Sequence, residues 1–165
     1  MWNLVVLLVV MALAGVLANR SAQNLDAVQG DLAASMAAEM GIYRTAVIRY
    51  FVDHDLSNTG VSTAALKSGG YLPPWSRMAQ QSAPLIWSNY RDAGGVIYVY
   101  ATSLPPQNLG AELARLAHNS VLVGAYSSSS GFLQSPIEGT TKISLSALAG
   151  KSIPDGAPVW IAIGQ

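Results

Sequence analysis

The chain has 165 residues, of which nine are basic and nine acidic, and charged residues make up only 11% of it. With no net charge and no run of basic residues, it lacks the electrostatic features of a nucleic-acid-binding protein. The sequence contains no cysteine, which excludes disulfides, thiolate nucleophiles and thiolate metal sites. Weak charge combined with 51% hydrophobic residues indicates a protein that contacts a membrane or other subunits.

The first 18 residues carry no charged side chain, and the apolar run over residues 2–18 stops at Asn19 and Arg20. Seventeen helical residues rise about 26 Å, close to the thickness of a bilayer's hydrocarbon core. A cleaved signal peptide is the alternative, with residues 16–18 as a small-residue cleavage site. The lack of an opening Lys or Arg and the length of the run favour an uncleaved anchor. We therefore predict a transmembrane anchor over residues 1–20.

Beyond this run, apolar side chains recur every three or four residues, as they do on one face of an α-helix. No proline interrupts residues 2–55, and many alanines favour helix. We predict one long helix that ends at residues 58–60, with Gly60 as its C-cap, and whose part over residues 21–57 is amphipathic. The predicted apolar stripe is Leu25, Val28, Leu32, Met36, Met40, Tyr43, Val47 and Tyr50.

The following elements are short. Ser62 is placed to cap a helix over residues 63–67, and the paired prolines require an extended segment over residues 71–75. β-branched and aromatic residues predict strands, while Gly, Pro and Ser clusters predict turns. The remaining elements are strands over residues 84–90, 96–102, 121–127, 140–146 and 158–163, a helix over 108–118, turns at 92–95 and 127–131, and a helical turn at 145–150.

This order predicts an α+β fold, in which the long N-terminal helix, first transmembrane and then amphipathic, packs on an antiparallel sheet. Residues 21–165 would form a single domain. The charged amino terminus and the bulk of the chain downstream favour an N-in orientation across a bacterial inner membrane. The domain is then expected in the periplasm.

Two motifs contain residue types used in catalysis or ligand binding. Asp53, His54 and Asp55 form a His-carboxylate cluster, but adjacent helical residues point to different sides, so a solvated helix end is the better interpretation. Gly150, Lys151 and Ser152 are similar to the end of a phosphate-binding loop. That loop requires a glycine at 145 and a following helix, and this chain has neither, so we interpret Lys151 as a solvated loop residue.

Serines and aromatic residues give two further candidates. The serines at 127–130 lack the G-x-S-x-G pattern of a nucleophile elbow, so a surface turn is expected. Aromatic residues at alternate strand positions are more often core or subunit interface than ligand groove. We therefore predict no catalytic residue, no cofactor-binding residue and no metal ligand, and a protein that is not an enzyme. The aromatic set is Tyr71, Trp75, Trp87, Tyr90, Tyr98, Tyr100, Tyr126 and Trp160.

The order of elements resembles that of type IV pilins, and so do the sequences of residues 43–50 and 66–73. Residues 1–18 hold neither the basic leader nor the glutamate of pilins. The Asn19-Arg20 pair, residues 43–50 and the Gly-Ala-Pro-Val-Trp sequence at 156–160 more closely resemble the PilM family of thin (type IVb) pili of conjugative plasmids.

The resemblance to PilM implies an inner-membrane component of the pilus assembly apparatus or pilus base, which supports pilus biogenesis and conjugation through protein-protein contacts. The expected partners are other pilus-assembly proteins and the membrane, with pilin and a second copy of the chain as further candidates and no nucleic acid. Two alternatives stay open. One is a minor pilin incorporated into the fibre, and the other is an exported binding or hydrolytic domain with a cleaved signal peptide.

Overall fold

The computed structural model describes the backbone of residues 2–81 and 85–163, and the side chains of residues 27–81 and 85–163. Over this part of the chain it has the predicted α+β class, with a long N-terminal helix and a six-stranded sheet. The elements are α1 (Trp2–Asp53), α2 (Thr63–Ser68), α3 (Arg77–Gln80), β1 (Trp87–Arg91), β2 (Val96–Ala101), α4 (Gly110–Leu116), β3 (Val123–Ala125), β4 (Phe132–Ser135), β5 (Gly139–Ser144), a 3-10 turn (Ser146–Leu148) and β6 (Pro158–Ile163).

The strands lie in the order β1-β2-β6-β3-β4-β5, and each neighbouring pair is antiparallel, as predicted. The last strand, β6, lies inside the sheet between β2 and β3, which explains why its side chains from Pro158 to Ala162 are buried. Trp160 is paired with Val99 of β2 and with Val123 of β3. Side chains at paired positions share a face of the sheet, so these three residues lie together under α1.

Helix α1 packs on the sheet through its C-terminal half. Among its described side chains, residues 27–32 are all exposed and Ala33 is the first that is buried. Of the predicted stripe, Val28 and Leu32 are 57% and 49% exposed, because this part of α1 extends beyond the head. Leu25 lies outside the residues with described side chains. The stripe is buried at Met40, Tyr43 and Val47, half-buried at Met36 and Tyr50, and joined in the core by Ala33, Ala37, Ala46 and Phe51.

The end of α1 was predicted wrongly. The helix stops at Asp53, and the chain then turns back so that Thr59 forms an antiparallel bridge with Arg91. The Thr59 amide donates to the Arg91 carbonyl at 3.1 Å, and the Arg91 amide donates to the Thr59 carbonyl at 2.7 Å. Gly60 is not a helix cap. It passes against the backbone carbonyl of Asn89, where a Cβ atom would not fit.

Among the shorter elements, the cap of α2 is confirmed, since Ser62 Oγ accepts from the Ala65 amide at 3.1 Å. The segment over residues 71–75 leads into α3, which the sequence did not predict, and β4 was also missed. The predicted strand over residues 84–90 begins only at Trp87, with residue 84 outside the described residues, and β3 has three residues instead of seven. Of the two missed elements, α3 is capped by Ser76 Oγ, which accepts from the Ala79 amide at 3.2 Å, and β4 pairs with β5, which follows it directly.

Within the described part of the chain, no helix combines the length and the apolar character needed to cross a membrane. The predicted anchor over residues 1–20 lies outside the residues whose side chains are described.

Candidate functional site

A groove of about 450 Å³ lies beside α1. Four parts of the chain form it: α1, the connection between α2 and α3, the end of α4, and β6. Its floor is Ala38, Gly41 and Thr45 of α1, and its walls include Trp75 and Trp160. Large apolar side chains and the cations of Arg44 and Arg49 occur together in this groove.

The floor of the groove consists of small residues on one face of α1, because spacings of three and four return to the same side of a helix. A Cβ atom added at Gly41 would lie 3.6 Å from the Trp160 ring, which is an ordinary van der Waals contact. Intramolecular packing therefore does not require a glycine here, although glycine inside a helix costs about 1 kcal/mol relative to alanine. The helix backbone is open to close approach from outside.

Arg44 places a guanidinium at the base of the wall formed by Trp160. Its Cζ lies 4.9 Å from the Trp160 ring centroid, and its Nη2 donates to the Ile161 carbonyl at 3.4 Å. Its Nε is buried and has no hydrogen-bond partner among the described residues. Burial lowers the pKa of Arg44 below its ordinary value. A donor that water no longer reaches is left without an acceptor.

Arg49 adds a second, exposed cation to the same groove. The ion pairs within residues 27–81 and 85–163 involve Arg77, Arg91 and Arg115, and neither Arg44 nor Arg49. No acidic residue lines the groove. Guanidinium groups bind carboxylates through paired, charge-assisted hydrogen bonds. The groove can therefore bind a partner that brings a carboxylate.

Tyr71 holds the connection between α2 and α3, which forms one wall of the groove and carries Trp75, against α1. Its Oη donates to Asp53 Oδ2 at 2.9 Å, and this hydrogen bond raises the pKa of Tyr71 above its ordinary value. Its ring meets the Tyr50 ring edge-on, with centroids 5.4 Å apart. The connection is thus tied to the last turn of α1, and it carries Trp75, whose surface is 71% exposed.

The structure separates the three residues of the His-carboxylate cluster. Asp53 accepts from Tyr71, and His54 stacks on Tyr50 with ring centroids 4.3 Å apart. Asp55 Oδ1 accepts from Arg91 Nη1 at 3.0 Å. All three are exposed, as expected at a solvated helix end. Within the described residues, no group of three or more His, Asp or Glu side chains is placed to hold a metal ion.

The other two motifs are also in surface loops. Lys151 is exposed, but it is more than a solvated residue, because its Nζ lies 4.2 Å from the Tyr90 ring centroid. The serines at 127–130 form a turn that Asp155 ties down by accepting from both the amide and the hydroxyl of Ser128. Those two hydrogen bonds hold the pKa of Asp155 below its ordinary value.

The predicted aromatic set divides between the core and the groove. Trp87, Tyr98, Tyr100 and Trp160 are buried in the core, whereas Tyr71, Tyr90 and Tyr126 are half-buried. Only the edge of Trp160 reaches the groove, together with Tyr71 and the exposed Trp75. The interpretation as core aromatics is confirmed for Trp87, Tyr98, Tyr100 and Trp160, whereas Tyr90 of β1 is half-buried and Trp75 is exposed.

Gly41, Arg44, Thr45 and Arg49 were not predicted as site residues. In the sequence, Arg44 and Arg49 are two charged residues that lie outside the predicted apolar stripe. One signal was available. A glycine in the interior of a long alanine-rich helix weakens it, so its presence indicates a packing or functional reason. Gly41 is such a residue, and so is Gly30 in the exposed part of α1.

Comparison with known protein families finds one match, in which the model of the PilM family covers residues 8–161. No curated protein and no solved structure matches the chain. The pilin-like arrangement of helix and sheet therefore stays a prediction.

Proposed function

Because this chain belongs to the PilM family, we propose that it is an inner-membrane accessory component of the type IV (thin) pilus assembly apparatus or pilus base. Family membership indicates a pilus-related role. The proposal adds that the protein acts by protein-protein contacts and supports pilus biogenesis and conjugation. The match over residues 8–161 is the observation that carries it.

The surface of the head supports a role in contacts. It combines the groove beside α1 with an exposed helical arm, residues 27–32, in which Val28 and Leu32 present apolar side chains. Apolar side chains that are grouped on a surface commonly mark interaction sites. A protein with these features is suited to bind another chain along the length of α1.

The proposed membrane location depends on the sequence of residues 2–18, which is apolar and long enough to cross a bilayer. The backbone of α1 is one helix from Trp2 to Asp53, so an anchor formed by its first part would continue directly into the head. In the proposed topology the head lies in the periplasm. Residues 21–32 then act as a stalk between the membrane and the head.

The proposal is tested by deleting the gene from a strain that assembles thin pili and restoring it with a tagged full chain. We expect pili and conjugative transfer to be lost on deletion and restored by the tagged chain. The protein should be in the inner-membrane fraction, and its measured mass should show that residues 1–18 are retained. Leu8→Arg should reduce the membrane-bound fraction, because a charge near the centre of a span costs about 3 kcal/mol. Leu8→Ile is the matched control and should not.

Three results would contradict this proposal. Normal pili without the gene would exclude an assembly role. Recovery of the protein from sheared pili with a trimmed amino terminus would favour a minor pilin. A soluble periplasmic protein that begins at Asn19 would favour an exported domain with a cleaved signal peptide.

A further inference from the structure

Two large grooves in the described part of the molecule differ in what they can recognise. The one between residues 104–110 and strands β3 and β4 has a volume of about 550 Å³, and no charged residue lines it. Its polar side chains, among them Gln107, Asn108 and Gln134, can form hydrogen bonds but do not specify the charge of an occupant. The groove beside α1 is slightly smaller, but it presents the two cations Arg44 and Arg49 and no acidic residue. Its charge specifies the chemistry of a partner.

The acidic residues closest in sequence are already engaged elsewhere. Glu39 Oε1 lies 3.7 Å from Arg77 Nη1 on a different side of α1, and Asp53 accepts from Tyr71. Arg44 lines the groove and is only half-buried, although its Nε, like that of Arg91, is buried without an acceptor. A carboxylate brought by a partner would pair with the terminal nitrogens of Arg44 and would also be within the field of Arg49.

The floor of the groove indicates the shape of the partner. Small residues on one helix let a second helix approach closely, because no long side chains separate the two backbones. Ala38, Gly41 and Thr45 provide such a surface, and Gly30 continues it on the arm, where a Cβ atom would have no neighbour within 4 Å. A helix lying along α1 can therefore contact both the groove and the arm.

We propose that the groove beside α1 binds a helix of another pilus-assembly protein, and that this helix presents small or apolar side chains and a carboxylate that pairs with Arg44 and Arg49. This inference rests on the proposed function, because it describes the partner through which that function would operate. A second copy of the chain is less suitable. Of its described acidic residues on α1, Glu39 is paired with Arg77 and Asp53 accepts from Tyr71. The remaining one, Asp31, lies thirteen residues before Arg44 in the sequence.

Thirteen helical residues correspond to about 20 Å along the axis. Two copies anchored side by side in one membrane would hold their α1 helices at equal height. Asp31 of one copy would then lie about 20 Å from the level of Arg44 in the other, and the two side chains could not meet. A different protein, with its carboxylate at another height, is not limited in this way.

The test uses the lack of cysteine in this chain. Thr45 is exposed in the groove, and Lys142 is exposed on β5 at the far edge of the sheet. The full chain carrying Thr45→Cys or Lys142→Cys is labelled in cells with a maleimide reagent, with and without the other pilus proteins. We expect Thr45→Cys to be labelled at least fivefold more slowly when the complete apparatus is present. Labelling of Lys142→Cys should not change.

Charge variants test the carboxylate. In the Thr45→Cys background, Arg44→Glu with Arg49→Glu should restore fast labelling in the presence of the apparatus. Arg44→Lys with Arg49→Lys should keep most of the protection. Arg44 packs on Trp160, so its replacement can alter the core. The single variant Arg49→Glu is at an exposed position and avoids this problem. It should partly restore the labelling of Thr45→Cys in the presence of the apparatus.

Each other outcome overturns the inference. Equal labelling with and without the apparatus means that the groove is unoccupied. Protection in cells that make this chain alone means that a second copy fills it. Protection that survives both charge reversals means that the partner brings no carboxylate. Failure of the proposed function is a separate result, since it is read from pili in the deletion strain and not from labelling at Thr45.

Discussion

At the scale of single residues, the amide of Asn89 joins three parts of the fold. Asn89 is only 5% exposed. Its Nδ2 donates to Tyr43 Oη at 2.7 Å and to the Val61 carbonyl at 2.8 Å, and its Oδ1 accepts from the Val61 amide at 2.9 Å. Burial also raises the pKa of Tyr43 above its ordinary value. One side chain thus connects α1, the segment before α2, and β1.

We predict that Asn89→Ala lowers the free energy of unfolding by about 3 kcal/mol, because it leaves several buried polar groups without partners at about 1–3 kcal/mol each. Urea unfolding of the head, followed by tryptophan fluorescence, measures this difference. Ser88→Ala, at the adjacent half-buried position, is the control and should change stability by less than about 1 kcal/mol. A loss below 1 kcal/mol for Asn89→Ala would show that water replaces the amide.

At the scale of elements, the periodicity of apolar residues correctly predicted the long helix and the strands with a regular apolar pattern. The buried face of α1 from Met36 onward and the strands β2 and β6 follow directly from apolar spacing and β-branched residues. The end of α1 did not, because the bridge between Thr59 and Arg91 determines where the chain leaves the helix. A partner 32 residues away in sequence leaves no local signal. The short elements α3 and β4 were missed for a different reason, since each has only four residues and is too short to show a period.

Gly41 provides a prediction about helix α1 as an element. Gly41→Ala should raise the free energy of unfolding by about 0.5–1 kcal/mol, because alanine favours helix and its Cβ makes an ordinary contact with Trp160. Gly60→Ala should have the opposite effect, since the Asn89 carbonyl occupies the position of the new Cβ. The same urea titration compares the two. If Gly41→Ala is destabilising, the glycine serves the packing of Trp160 and not an external partner.

At the scale of the whole molecule, the groove could not be predicted from the sequence because it is assembled from distant segments. Arg44 on α1, Trp75 after α2 and Trp160 on β6 meet only when the last strand enters the middle of the sheet. Before folding, Arg44 and Arg49 are indistinguishable from the solvated charges that any amphipathic helix carries. The composition indicated only that the protein contacts a membrane or other subunits.

The molecule divides into an arm and a head, and truncation tests this division. Among the described side chains of α1, from residue 27 onward, Ala33 is the first that is buried, so we predict that a chain that starts at residue 27 folds with the full core. A chain that starts at residue 38 also loses Ala33, Ala37 and the half-buried Met36. It should be less stable by about 2.5 kcal/mol, since each buried methyl contributes about 0.8 kcal/mol and half-burial of a methionine about 1 kcal/mol. Urea unfolding of the two truncated chains measures the difference.

Equal stability of the two chains would mean that the head begins after Ala37. Failure of the longer chain to fold would mean that residues 1–26 take part in the core.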